Sequence, residues 1–234
     1  MAVHALGERD RYARDERKRM NKCLMIIMMI GCLAAQAKAQ SPAPESNKVL
    51  VTGFVGGFRS PDDIKQGVVQ IRDHLRSLAC PGLQVETFSH WHWRRAYHWI
   101  YQAIDQNRDG KLSKTEIEQC PKIIVYGHSL GGWAVVKLAT KLKKIKIPLE
   151  LAVQIDSVGI GDEVEPNNVK EAANFYQRTV WPIRGERHIR AQNENMTRII
   201  GNFLIKDVGH EALAKELPIS KLITEKVVAL CTRP

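Results

Sequence analysis

Ile123-Ile124-Val125-Tyr126, four residues of high β-propensity, run straight into Gly127-His128-Ser129-Leu130-Gly131-Gly132, and an Ala/Val/Leu/Lys segment of helical character follows. A strand that ends in glycines and passes at once into a helix is half of a βαβ unit, and so of a parallel α/β sheet. The small residues at Gly127, Gly131 and Gly132 let strand and helix approach without a Cβ clash. The turn lifts Ser129 out of the sheet, and the start of the helix points at it, so the Leu130 amide is placed to bond a developing negative charge. A bare Gly-x-Ser-x-Gly also occurs by chance in loops; the apolar strand before it and the helix after it make this one informative.

In that setting Gly-His-Ser-Leu-Gly-Gly resembles the nucleophile elbow of the α/β-hydrolase esterases, lipases and thioesterases. The resemblance implies a nucleophile at Ser129 and the chain order Ser, then Asp or Glu, then His. Residues 148–155 read as the next strand and end at Asp156, where some lipases and thioesterases keep the acid member; Asp162 and Glu163 are alternatives in the same loop. Residues 199–205 read as a late strand, and His210 follows in a loop before a helix, which makes it the expected base. His188 is a rival in a polar stretch with Arg187 and Arg190, while His128 is pinned beside the serine and faces the wrong way. In the family the loop after the first core strand supplies a second oxyanion amide. Here that strand is read over residues 49–52, and by position the amide is that of Phe54, with Thr52-Gly53 where the family often has His-Gly.

The remaining pattern fits a compact α/β-hydrolase-like fold: a mostly parallel sheet, helices on both faces, the two usual N-terminal strands absent and no large lid. Ser60-Pro61-Asp62-Asp63 has the composition of a helix start, with Ile64, Val68, Ile71, Leu75 and Leu78 along one face, and residues 83–88 form the next strand. Residues 89–101 leave that strand's C-terminal end dense in Trp and His. Trp91 and Trp93 are candidate pocket walls; Tyr97, Trp99 and Tyr101 serve either a pocket or the packing of a helix on the sheet. His90-x-His92 lacks a third metal ligand in spacing. Residues 166–181 read as a helix with an amide-rich end, to which no role attaches.

Residues 105–116 match the twelve-residue EF-hand loop in full. Asp105, Asn107, Asp109 and Glu116 carry oxygen ligands at positions 1, 3, 5 and 12; Gly110 sits at the turn, Lys111 offers its carbonyl, and Ser113 acts directly or through water. The alternative is a polar Asn/Asp/Gly turn. The helix before the loop starts at the active edge of the sheet, so a structural Ca²⁺ is expected on the far side, away from the substrate.

Asn21-Lys22, an apolar run over residues 23–35 and Ala37-Lys38-Ala39 have the form of a secretory signal peptide over residues 1–39, with Met20 a possible true start and residues 40–48 a linker. A lipid anchor at Cys32 is the alternative. The leader holds eight of the 35 basic and four of the 25 acidic residues, so a net charge of +10 falls to +6. No nucleic-acid motif is present, and no stable membrane insertion is expected once the signal is removed. Cys80, Cys120 and Cys231 remain, enough for one disulfide of unread connectivity. The expected activity is that of an exported serine hydrolase acting on a small-molecule or lipid ester or thioester. A non-enzymatic, calcium-dependent binding protein on the same scaffold is the other reading.

Overall fold

The computed structural model describes residues 48–179 and 183–232. The expected leader, Cys32 and all but the last residue of the linker lie outside the described residues. In chain order the elements are β1 (Val49–Val55), α1 (Gly67–Arg76), β2 (Leu83–Ser89), a 3₁₀ turn (His90–His92), α2 (Trp93–Ile104), α3 (Lys114–Glu118), β3 (Lys122–His128), α4 (Leu130–Lys143), β4 (Leu151–Ile155), β5 (Val164–Glu165), β6 (Glu171–Tyr176), β7 (Arg190–Ala191), β8 (Arg198–Leu204), α5 (His210–Leu213) and α6 (Leu217–Cys231).

Six strands form one parallel sheet in the order β2-β1-β3-β4-β6-β8, and β5 pairs with β7 in a separate parallel ribbon. The sheet grows one way from β1 to β2 and the other way from β1 to β3. Such a switch point opens a crevice beyond the strand C-termini, where ligands bind in α/β sheets.

Alternation along the strands divides the core into two. Val49, Val51, Val55, Ile124, Tyr126, Leu151, Val153 and Ile155 face α1, α5 and α6; Leu50, Phe54, Ile123, Val125 and Ala152 face α2 and α4. The helices answer with Val68, Ile71, Leu75, Ile219, Ile223 and Val227 on one face and Ile100, Ile104, Val135, Leu138 and Leu142 on the other. Cys80 and Cys231 form a disulfide with a Cα–Cα distance of 5.8 Å, fastening the loop after α1 to the last residue of α6. Cys120 is free and buried. Among the described residues no helix is long and apolar enough to cross a membrane.

Two expectations are corrected. The first helix begins at Gly67, not at Ser60-Pro61. The Pro61 carbonyl is taken from outside the segment, by Thr87 Oγ1 at 2.6 Å and Arg72 Nη1 at 3.1 Å. Those bonds hold residues 60–66 in turns and leave Ile64 69% exposed instead of on the apolar face. The supposed helix over residues 166–181 contains β6, a strand buried between β4 and β8.

The sheet face under α4 also buries polar groups. Gln154 is wholly buried and its Nε2 donates to the Asp162 carbonyl and to Glu165 Oε1, both at 2.7 Å. Glu165 is wholly buried too, and that burial pushes its carboxyl up from 4.5 to about 7. Between those values the folded protein keeps a proton that the unfolded chain releases. Glu165 therefore weakens the fold progressively as pH rises through that window, and by a constant amount above it. Replacing Glu165 with Gln should remove this dependence: compared by urea unfolding, the variant should gain on the wild type by about 1–3 kcal/mol between pH 4.5 and 8. A wild-type-minus-variant difference that is flat with pH would show that Glu165 does not hold the proton.

Candidate active site

Ser129 stands between β3 and α4, as the N-cap of that helix, with φ 60° and ψ −127°, a strained conformation for a residue with a side chain. Close approach holds the turn: a Cβ on Gly127 would lie 2.2 Å from the Gly131 carbonyl oxygen, so only glycine lets α4 cross β3 here. The Ser129 amide donates to the Ile155 carbonyl at 2.9 Å, tying the turn to the end of β4 one residue before Asp156. Leu130 lies in the first turn of α4, where backbone N–H groups have no helical acceptor.

Asp156 and His210 are brought together. His210 Nδ1 lies 2.7 Å from Asp156 Oδ2, and both residues are buried. A carboxylate on Nδ1 makes that nitrogen the donor and leaves Nε2 as the basic one. Three further donors converge on Asp156: Gln177 Nε2 at 2.9 Å, the Gln177 amide at 3.3 Å and the Gly185 amide at 2.9 Å. Burial alone pushes the Asp156 carboxyl up, but the bonds from His210 and Gln177 outweigh it and hold the group below its ordinary range. Gly185 must be glycine to reach it, since a Cβ there would stand 2.4 Å from Asp156 Oδ1.

His128 supports the pair from the other side. Its Nε2 donates to the His210 carbonyl at 2.8 Å, and the two rings lie 4.5 Å apart. Burial, and then the neighbouring His210, push its pKa down to about 4, so it stays a neutral donor at neutral pH. Asp162 turns to Ser157 Oγ and the Gly159 amide, the Glu163 carbonyl accepts from the Arg190 amide, and His188 is exposed; none of the three meets His210.

Phe54 does not stand in the loop after β1. The strand runs on to Val55, and Phe54 pairs there with Phe88 on one side and Gly127 on the other, with its side chain wholly buried. The chain leaves the sheet at Gly56, where an added Cβ would lie 2.6 Å from Ser129 Cβ and 3.1 Å from the Leu130 nitrogen. The Gly56 backbone thus passes close to the Leu130 amide.

Trp91 and Trp93 line a cleft of about 490 Å³ together with Leu130, Trp133, Val158 and Ile160. Trp99 packs on Phe88 at 6.3 Å between ring centroids, and Tyr97 on Tyr101 at 5.9 Å, both outside that cleft. Trp133 and the loop beyond β4 were not foreseen as walls. Trp133 lies four residues past Ser129, in the first turn of α4, and that spacing was the available signal.

The loop over residues 105–116 runs from the C-cap of α2 into α3. Gly110 has φ +77° at the turn, and the Tyr101 hydroxyl donates to its carbonyl at 2.9 Å. Asp105 Oδ2 accepts from the Gly110 amide at 3.0 Å, Asn107 Oδ1 from the Asp109 amide at 3.0 Å, and Asp109 Oδ1 from the Lys111 amide at 2.8 Å. Glu116 accepts from the Ser113 hydroxyl and amide and from the Gln106 amide, which in that order hold its carboxyl below the ordinary range. One oxygen does not fit this self-satisfied turn: Asp105 Oδ1 is buried without a hydrogen-bond partner. The donor set is hard oxygen throughout, as calcium requires. Among the described residues, however, no three His, Cys, Asp or Glu side chains are gathered as a ready metal cage.

By sequence the chain matches no family model and no curated protein. By structure it is similar to an arylesterase, with a TM-score of 0.50 and 15% identity over 80% of this chain and 75% of that one. It also resembles Est1E from Butyrivibrio proteoclasticus, at a TM-score of 0.44 and 11% identity over 82% of this chain and 92% of that one. A third similar structure is XC6422 from Xanthomonas campestris, an α/β serine hydrolase without a lid, at 0.44 and 14% over 82% and 88%. At such identities the likeness concerns architecture, and the architecture is that of an α/β-hydrolase-like fold.

Proposed function

We propose that the protein is a serine hydrolase that cleaves a carboxylic ester or thioester, with Ser129 as nucleophile, His210 as base and Asp156 as its orienting acid. The observation that carries this reading is the buried Asp156–His210 pair, whose Asp156 adjoins the residue that accepts the Ser129 amide. Fold alone assigns no chemistry, so the reading rests on these side chains. Ser129 Oγ attacks the carbonyl carbon as His210 Nε2 takes its proton; the same nitrogen then protonates the leaving alcohol or thiol. Water repeats the sequence on the acyl-enzyme. Asp156 fixes the imidazole tautomer and stabilises the imidazolium. The Leu130 amide and the backbone at Gly56 serve the oxyanion. The Trp91–Trp133 cleft takes an apolar part of the substrate, a small molecule or a lipid. Export, in line with the leader-like residues 1–39, suits the Cys80–Cys231 disulfide, since such bonds persist in oxidising compartments.

A fluorophosphonate probe should label the wild type and not Ser129→Ala. His210→Ala should stay folded and lose turnover on the order of 10⁴–10⁶-fold. Equal labelling of the wild type and Ser129→Ala would reject the nucleophile, and a comparable loss in His188→Ala alone would reassign the base. Absence of both labelling and esterase activity would leave the other reading, a binding protein on this scaffold.

Calcium belongs to the same proposal as a structural ion. Asp105, Asn107, Asp109, the Lys111 carbonyl and Glu116 would hold it, and the unpartnered Asp105 Oδ1 supports that reading. The ion would supply a fixed positive charge tying the end of α2 to α3; no step of the reaction runs through it. Because α2 spans twelve residues from the cleft to the loop, the site stands ~18 Å of helix away. Millimolar calcium at about a hundredfold excess over Kd should raise Tm by roughly 5–10 °C in the wild type. It should leave Asp105→Asn and Glu116→Gln unmoved. Equal Tm values with calcium and with chelator would reject the ion.

A further inference from the structure

The apolar cleft has a neighbour of opposite character. A second cleft, of about 340 Å³, has Ser157, Val158 and Gly159 on one wall and Arg178, Arg184 and Arg187 on the other. Val158 and Gly159 line both clefts, so the two meet across the loop that follows Asp156. Gly185, which also lines the second cleft, is the residue whose amide holds Asp156.

The arginines here carry no ion pair, unlike four of the eight other arginines among the described residues. Arg59, Arg72, Arg76 and Arg198 each lie against a carboxylate. Arg178 donates through Nη1 to the Gly185 carbonyl at 3.0 Å and lies over the Tyr176 ring, yet its Nε is buried and bonds nothing. The Arg184 and Arg187 side chains make no hydrogen bond or ion pair among the described residues. Glu186, the one acid lining the cleft, directs Oε1 at the amides of Arg187 and His188, at 2.7 and 3.1 Å. The Asp156 carboxylate behind the wall is taken by His210, Gln177 and Gly185. Burial, with the like charge of Arg187, pushes Arg178 down from its ordinary range.

Three guanidinium groups on one concave wall repel each other and focus a positive potential into the space they share. Their forked N–H groups match the paired oxygens of a carboxylate or phosphate. We propose that this cleft is an anion subsite, and that the substrate is an ester or thioester bearing a carboxylate or phosphate on the portion extending past Val158 and Gly159. The assignment of substrate class rests on the hydrolase reading above; the anion site itself does not.

Two matched pairs of esters test it: monoethyl adipate against ethyl adipamate, and 2-(butanoyloxy)ethyl phosphate against 2-methoxyethyl butanoate. At low salt the wild type should prefer at least one anionic member by tenfold or more in kcat/KM, and the pair that responds tells carboxylate from phosphate. The preference should shrink toward parity in 0.5 M NaCl and in Arg184→Glu/Arg187→Glu. Arg178 is left alone because it also braces the Gly185 loop. Calorimetric titration of Ser129→Ala with the same two anionic esters reads binding without turnover, and adding the two charge reversals should weaken Kd at least tenfold. Should the reversed variant fail to fold, the salt series and Arg187→Ala read the same ratio. Hydrolysis of neutral and anionic members at equal efficiency would overturn the subsite and leave the hydrolase. Binding of an anionic ester to Ser129→Ala that the reversals weaken, with no hydrolysis by the wild type, would keep the subsite and remove the hydrolase. Absence of both binding and preference would overturn the inference.

Discussion

A backbone held at φ 60° and ψ −127° on a residue with a side chain costs on the order of 1–3 kcal/mol, and most of this molecule can be read as what holds Ser129 there. The Gly127–Gly131 approach lets α4 cross at the needed depth, and the bond from the Ser129 amide to Ile155 fixes the turn to β4. That bond also sets the distance to Asp156, because Ile155 and Asp156 are consecutive. A looser turn would release the strain and move Ser129 away from Asp156 in one step.

Asp156 is the second fixed point. Four hydrogen bonds from three segments meet on its carboxylate: His210 after β8, Gln177 after β6, and Gly185 in the loop that follows. A buried carboxylate so satisfied keeps its charge, and a kept charge orients the imidazole. His128 fixes the His210 backbone from the opposite side while staying neutral itself. Ser129, Asp156 and His210 thus lie just past strand ends, and the loops between them supply the rigidity.

What was legible in the chain was what lies consecutive in it. The elbow is eleven residues in a row, and Asp156 and His210 each follow a strand at the sheet edge where such groups collect. The clamp was not legible. Glu171-Ala172-Ala173-Asn174-Phe175-Tyr176 contains helix-forming alanines and no alternation, because β6 is covered on both sides and a buried parallel strand loses the period-two pattern. With β6 missed, Gln177 had no strand end to occupy and no reason to matter. The end of β1 was misplaced for a related cause: Gly53 looked like a strand terminus, whereas β1 runs through it, with the Tyr126 ring filling the space over its missing side chain. Ser60-Pro61 has every local mark of a helix start, and two distant donors on one carbonyl overrule it.

The placing of α6 has a consequence for how the molecule comes to be made. The sheet face built by Val49, Val51 and Val55 is closed by Ile219, Ile223 and Val227, so the earliest strand and the helix that covers it stand at opposite ends of the described chain. The part of that face that α1 leaves uncovered therefore stays open to water until α6 has been synthesised. Until then the growing chain carries a partly bare parallel sheet face, the kind of surface that sticks to its own copies. The closing helix, with Cys231 at its end, decides when assembly is complete, and the bond to Cys80 then keeps that last piece from peeling away.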